Sequence, residues 1–214
     1  MLLGSVAGLD PGHVLIFGGG VVGSNAADVA LGMGAKVTLI EPFSPRQNSL
    51  RAQFTHRRFT VLGGKNLDLR RLLAEVDMVI GAALVPGAAA PKLLSAEALN
   101  WLAPGSVLVD VAVDQGGCFA TTRPTTHLAP TYVESGIVHY CVANIPSAVA
   151  RTATQALSLS TLPFVLALAA QPLKQALSAA PNLAHGLSVA NGHLCCAAVA
   201  GAQQRDFRRW ESVL

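Results

Sequence analysis

Residues 13–41, HVLIFGGGVVGSNAADVALGMGAKVTLIE, constrain what this chain can fold into more than any other stretch. The apolar run from His13 to Phe17 has the length of a buried strand. Gly18, Gly20 and Gly23 follow in G-x-G-x-x-G spacing, and a helix of small residues is predicted from about Val21 to Met33, stopped by Gly34. A second apolar run, Lys36 to Ile40, ends on Glu41. Gly18 permits a tight turn, Gly20 lets a pyrophosphate approach the backbone, and Gly23 lets the helix sit close on the strand. The helix N-terminus offers free N–H groups and the positive end of its dipole to that pyrophosphate. Glu41 follows Gly23 by 18 residues, a spacing suited to hydrogen bonds from an adenosine ribose. The bland alternative is a glycine-rich turn that holds no ligand. The flanking strands, the helix and the acid together favour a dinucleotide, and Glu41 favours NAD because a 2′-phosphate would meet its charge. Arg46 leaves three options open: a phosphate partner, a partner of Glu41, or a solvated cation.

The pattern repeats along the chain. Residues 42–58 read as a loop and a short polar helix, and Phe59 to Leu62 as a third strand ended by Gly63-Gly64. Asn66 is placed to cap a helix from Leu67 to Val76. A fourth strand runs from Asp77 to about Gly81, and residues 92–102 have helical apolar spacing. Ser106 to Val113, around Asp110, reads as a fifth, central strand closed by Asp114-Gln115-Gly116-Gly117, and Ile137 to Val142 as a sixth. Strands alternating with helices predict an α/β fold, a Rossmann-type doubly wound parallel sheet followed by C-terminal helices. Ligands of such sheets lie beyond the carboxyl ends of the strands. Those ends carry Gly18 to Gly23, Glu41, Ala83-Leu84, Asp114 and Asn144.

From Pro146 the character changes to helical segments without strand patterns. The expected organisation is a nucleotide domain over residues 1–145 and a helical segment over residues 146–214. Residues 152–173 carry no charge and are long enough to cross a bilayer, but their Ser, Thr and Gln content and Pro163 favour a buried helix bent at the proline. No membrane partner is therefore expected. The composition, 51% hydrophobic and 13% charged, suits a buried parallel sheet with some apolar surface left for a partner. A net charge of +3, unclustered and without a basic–aromatic stripe, gives no reason to expect nucleic acid. Cys118, Cys141, Cys195 and Cys196 form neither a C-x-x-C metal pattern nor a disulfide framework, so no metal and reduced, cytoplasmic thiols are expected. The N-terminus lacks the basic and apolar regions of a signal peptide.

The loops at the strand ends carry a family resemblance. APKLLS (90–95), VDVAVDQGGCFATTRPTTH (109–127) and HYCVANIPSAVARTAT (139–154), behind IFGGGVVGSNAA (16–27), resemble alanine dehydrogenase. That family converts L-alanine and NAD to pyruvate, ammonia and NADH. The resemblance implies that Gly20, Val21, Val22 and Gly23 face the pyrophosphate, that Glu41 takes the place of the ribose-binding acid, and that Arg46 lies near the adenosine. It implies that Ala83, Leu84, Val111, Ala112, Val113 and Asp114 line the nicotinamide half, with Arg123, Val142, Ala143, Asn144 and Ile145 completing the pocket. Asp114 matches the family's catalytic aspartate; the plainer reading is an acid that satisfies the Gln115–Gly117 backbone. Gly64 stands where the family usually has a cofactor-contacting serine, a loss of about 1 kcal/mol for one hydrogen bond.

Family members also carry an N-terminal domain with a substrate-binding Arg and Lys and a catalytic His, and this sequence begins where the nucleotide domain begins. None of its six histidines sits in a matching motif, and His127 and His139 read as structural. The resemblance thus implies an NAD-binding part of alanine dehydrogenase, its C-terminal helices suited to pack on the absent domain. Either a partner chain supplies that domain or the chain forms a homo-oligomer. The rival readings are a non-catalytic NAD-binding module, a transhydrogenase-like subunit, and a remnant that folds poorly for want of its docking surface.

Overall fold

The computed structural model describes residues 2–65 and 67–214, which divide into two compact units: residues up to Val85 with Ala89–Asn144, and Pro86–Ala88 with Ile145–Leu214. In the first unit β1 (His13–Phe17), β2 (Lys36–Ile40) and β3 (Phe59–Leu62) have the bounds the apolar runs predict. With β4 (Met78–Gly81), β5 (Val107–Asp110), β6 (Thr131–Glu134) and β7 (Ile137–Tyr140) they form one sheet in the order β3-β2-β1-β4-β5-β7-β6. All neighbours are parallel except β6 and β7. Alternate residues of β1 feed opposite faces of the sheet. Val14 and Ile16 pack with Ala27 and Ala30 of α1 (Val21–Gly32) and with Leu50 of α2 (Ser44–Gln53), whereas Leu15 and Phe17 pack with Leu73, Leu99 and Phe119. Both faces are covered, as a parallel sheet requires.

Several expectations change. The expected cap Asn66 lies outside the described residues; Asp68 caps the following helix, α3 (Leu69–Leu73), by accepting the Arg71 N–H at 3.0 Å. The helix expected over residues 92–102 shrinks to one 3₁₀ segment, Glu97–Trp101, because residues 90–94 bond instead to the loop after β5. β5 stops at Asp110 rather than Val113, since the Asp110 carboxylate accepts the Ala112 N–H at 3.0 Å and turns the chain. The sixth predicted strand, β7, ends at Tyr140 rather than Val142 and is the second arm of a hairpin whose first arm, β6, was not expected. Ser135 and Gly136, both at positive φ, form its two-residue turn.

The second unit opens with α4 (Ala150–Ala170), Pro163 inside it, followed by α5 (Leu173–Ala179) and α6 (Pro181–Ala184). The expectation of a buried helix is overturned, for no residue of α4 is buried. Ile145–Ala170 is long and apolar enough to cross a membrane, with a mean hydropathy of 1.5. Strands were not expected here either, yet β8 (Val189–Ala190) and β9 (His193–Leu194) pair across Asn191-Gly192, ahead of α7 (Ala197–Ala202). Asn191 and Gly192 both adopt positive φ, the hairpin geometry that an Asn-Gly pair signals.

Two close packings anchor the first unit. Gly23 in the first turn of α1 has no room for a side chain, because a Cβ there would overlap the carbonyl oxygen of Gly18. His13 is buried at the start of β1, with its Nε2 2.8 Å from the Thr38 hydroxyl and its Nδ1 3.1 Å from the Glu75 carbonyl. Gly23→Ala is expected to cost about 1–3 kcal/mol or more, as overpacking does, read as a lower urea midpoint. Burial, and secondarily Lys36, hold the His13 imidazole below its ordinary value of 6.5. The unfolded chain therefore binds a proton that the native one refuses. Stability from this group is complete above pH 6.5 and falls as the pH drops toward the lowered native value. Urea midpoints taken at about pH 7 and about pH 5 are expected to differ less in His13→Gln than in the parent chain.

Candidate functional site

The order of the sheet reverses at β1 and β4, so a crevice opens beyond their carboxyl ends. Gly18 turns the chain there at φ +98, where a Cβ would come within 2.8 Å of the Ala82 carbonyl oxygen. Gly20 precedes α1 as its N-cap, and a Cβ on it would meet nothing within 4 Å. The first turn of α1 carries no side-chain cap and no acid, and Val21 and Val22 are exposed. Its leading N–H groups thus point into open space with the helix dipole behind them, an arrangement that receives anions.

On the β2 side, Glu41 bridges two backbone donors: its Oε2 accepts the Gly19 N–H and its Oε1 the Phe43 N–H, each at 2.9 Å. Arg46 donates from Nε to the Gly19 carbonyl at 2.6 Å. The Gly19 peptide is therefore held from both sides, and the acid and the base are brought together through it. Gly64 has room for a larger residue, since a Cβ would sit 3.7 Å from Pro42, ordinary contact.

On the β4–β5 side, a cleft of about 150 Å³ is lined by Val22, Ala82, Ala83, Leu84, Val111, Ala112, Asp114 and Gln115. Six of these are residues the sequence singled out; Ala82 and Gln115 are additions, adjacent in sequence to Ala83 and Asp114. Val113 is buried beneath the loop rather than lining the cleft. Asp114 is exposed, and its Oδ2 accepts the Asn144 N–H at 3.3 Å. The Gln115 and Gly117 N–H groups donate to the Ala112 carbonyl and the Gly116 N–H to that of Val113, so no acid satisfies them; the acid that holds the two ends of the loop is Asp110, wholly buried. Its Oδ1 accepts from Ala112 N–H and its Oδ2 from Cys118 N–H at 2.7 Å, Phe119 N–H at 3.3 Å and the Thr122 hydroxyl. Asp110 stood in the predicted central strand, and a lone acid inside an apolar run was the signal that it holds neighbouring N–H groups.

Other singled-out residues lie elsewhere. The Arg123 guanidinium stacks on Tyr132, 3.6 Å from the ring centroid. Val142 is buried and bridges to Thr125, and Ala143 donates its N–H to the Thr125 carbonyl at 3.1 Å. Asn144 adopts φ +54 at the end of the first unit, and Ile145 begins the second. His139 is fully buried, with Nε2 2.9 Å from the Thr121 hydroxyl and Nδ1 3.0 Å from the Ile137 carbonyl. All four cysteines are free, and burial pushes the Cys118 thiol up to about 11. Among the described residues no cluster of three His, Cys, Asp or Glu side chains is placed to hold a metal ion.

A reversed sheet order, an uncapped helix N-terminus and a cleft at the strand ends define a Rossmann-type α/β domain. The family model of the alanine dehydrogenase/PNT C-terminal domain matches residues 1–197. Alanine dehydrogenase of Halomonas elongata is 53% identical over 94% of this chain and 54% of its own length. That of Methanococcus maripaludis is 45% identical over 100% of this chain and 57% of its own. A solved L-alanine dehydrogenase superposes with a TM-score of 0.83 at 47% identity, covering 95% of this chain and 56% of that one. The chain belongs to the alanine dehydrogenase/PNT family, matching its C-terminal domain, and spans about half the length of these relatives.

Proposed function

We propose that the first unit binds NAD(H) and serves as the nucleotide half of an L-alanine dehydrogenase. The observation that carries this reading is the open first turn of α1, set beside the glycine turn at Gly18 and within reach of Glu41. The residues present fit the cofactor. Gly20 leaves the approach to the backbone clear, and the N–H groups of Val21, Val22 and Gly23 meet the pyrophosphate. Each Glu41 oxygen accepts one N–H and retains capacity for a ribose hydroxyl, while its charge repels a 2′-phosphate. Arg46 supports the Gly19 turn beside the adenosine. Ala83, Leu84, Val111, Ala112 and Asp114 line the nicotinamide end, where the Asn144 N–H donates to the Asp114 carboxylate.

When bound, NAD supplies the acceptor for the hydride that leaves the alanine α-carbon; hydrolysis of the resulting imine gives pyruvate and ammonia. The chain's part is to orient the nicotinamide against an apolar wall and to hold the Asp114 carboxylate beside the reacting carbon. The groups that grip the alanine carboxylate belong, on this reading, to the portion of the relatives that this chain does not span. The apolar, unburied α4 offers a surface on which that portion docks. A cytoplasmic setting fits four free thiols.

Titration of the chain with NADH, followed by nicotinamide fluorescence, is expected to saturate and to beat NADPH at least tenfold, about the worth of one charge-assisted hydrogen bond. Glu41→Ala narrows that preference. Absence of binding by the folded chain removes the proposal. Mixed with the N-terminal half of a relative, L-alanine and NAD, the parent chain is expected to form NADH and the Asp114→Asn chain none; equal rates would leave the chain a binding module without chemistry.

A further inference from the structure

The segment at residues 90–95 lies directly along the loop that carries Asp114. The Ala90 N–H donates to the Gln115 carbonyl at 2.8 Å and the Leu93 N–H to the Cys118 carbonyl at 2.7 Å. Between them the Lys92 ammonium donates to the carbonyls of Gly116, at 2.5 Å, and Phe119, at 3.1 Å. Four carbonyls of the loop are thus held from one short segment, two by backbone and two by one side chain. On its other edge the loop is held by Asp110, which takes the N–H groups of Ala112, Cys118 and Phe119. An acid collects the donors and a base collects the acceptors.

The stretch between them has reason to need both. Gly116 and Gly117 sit at φ +90 and φ +77, a region glycine enters freely and leaves as freely. Gly116 also caps the single 3₁₀ turn Val113–Gln115, the turn on which Asp114 stands. Fixing the Gly116 carbonyl therefore fixes the pitch of that turn and the direction in which Asp114 leaves it. We infer that Lys92 is a positioning residue for the nicotinamide end of the site, acting on Asp114 and the Val111–Ala112 wall through the Gly116 and Phe119 carbonyls. The inference rests on the proposed NAD(H) site and assigns Lys92 no contact with the ligand.

Two ligands separate this role from a general contribution to folding. ADP-ribose fills the adenosine and pyrophosphate half alone, whereas NADH also reaches the cleft at Asp114. For the parent chain NADH is expected to bind more tightly than ADP-ribose. In Lys92→Met the NADH Kd is expected to rise about tenfold, the worth of a charge-assisted hydrogen bond, with the ADP-ribose Kd unchanged within about twofold. Lys92→Arg, which keeps the charge and the donors, is expected to retain most of the preference. Faster amide exchange of residues 113–118 in Lys92→Met would locate the change in the loop. Parent-like NADH binding by Lys92→Met overturns the inference and leaves the cofactor site standing. Equal weakening of both ligands also overturns it, making the lysine a stabiliser of the fold. A parent chain with no preference between the two ligands overturns the inference alone. A folded parent chain that binds neither overturns the cofactor site and the inference together.

Discussion

The backbone contact between Gly23 and the Gly18 carbonyl governs the first unit. It brings α1 down onto the end of β1 closer than any residue with a Cβ allows. Because of it, the leading N–H groups of α1 stand at the mouth of the crevice and not above it. The same approach lets Ala27 and Ala30 pack on Val14 and Ile16, so the helix surface is made of small side chains. Larger residues there would lift the helix and carry its dipole away from any phosphate. The anion-receiving geometry and the core packing are one arrangement.

At the crevice, charged side chains hold backbone groups. Glu41 and Arg46 take opposite sides of the Gly19 peptide, and Asp110 and Lys92 take opposite edges of the loop after β5. The first pair shapes the β2 side of the crevice and the second the β4–β5 side. A buried carboxylate such as Asp110 is tolerable because three N–H groups and a hydroxyl replace its water. Its consequence is the early end of β5, which turns Val111 and Ala112 from strand into cleft wall.

How far the residues alone could be read varies along the chain for identifiable reasons. β1, β2 and β3 were legible to the residue because short apolar runs end in Gly18, Glu41 and Gly63-Gly64. β6 was missed although Ser135-Gly136 between two runs is a turn signal, because Thr131–Glu134 is mostly exposed and lacks a continuous apolar face. The helix over residues 92–102 had the right spacing, but Ala90 and Leu93 bond to the Asp114 loop, and tertiary partners outweighed periodicity. The buried reading of α4 failed because hydropathy reports what a helix prefers and not what surface is available to it.

Glycine spacing, the strand runs and the acid after β2 were enough to specify a dinucleotide fold and one wall of its site. Those features work through sterics and side-chain period, which act within a few residues. The other wall was read only through the convergence of parallel strand ends and the family resemblance, not from local pattern. Val22 meets Ala83, Leu84, Val111 and Asp114 only because right-handed crossovers return each strand beside the last. Lys92 meets Gly116 across 24 residues because the loops after β4 and β5 leave the same end of the sheet, and Asp110 meets Cys118 across eight because the loop after β5 folds back on itself. Hydrogen bonds are short and directional, so which distant groups share one is settled by where the folded backbone brings them.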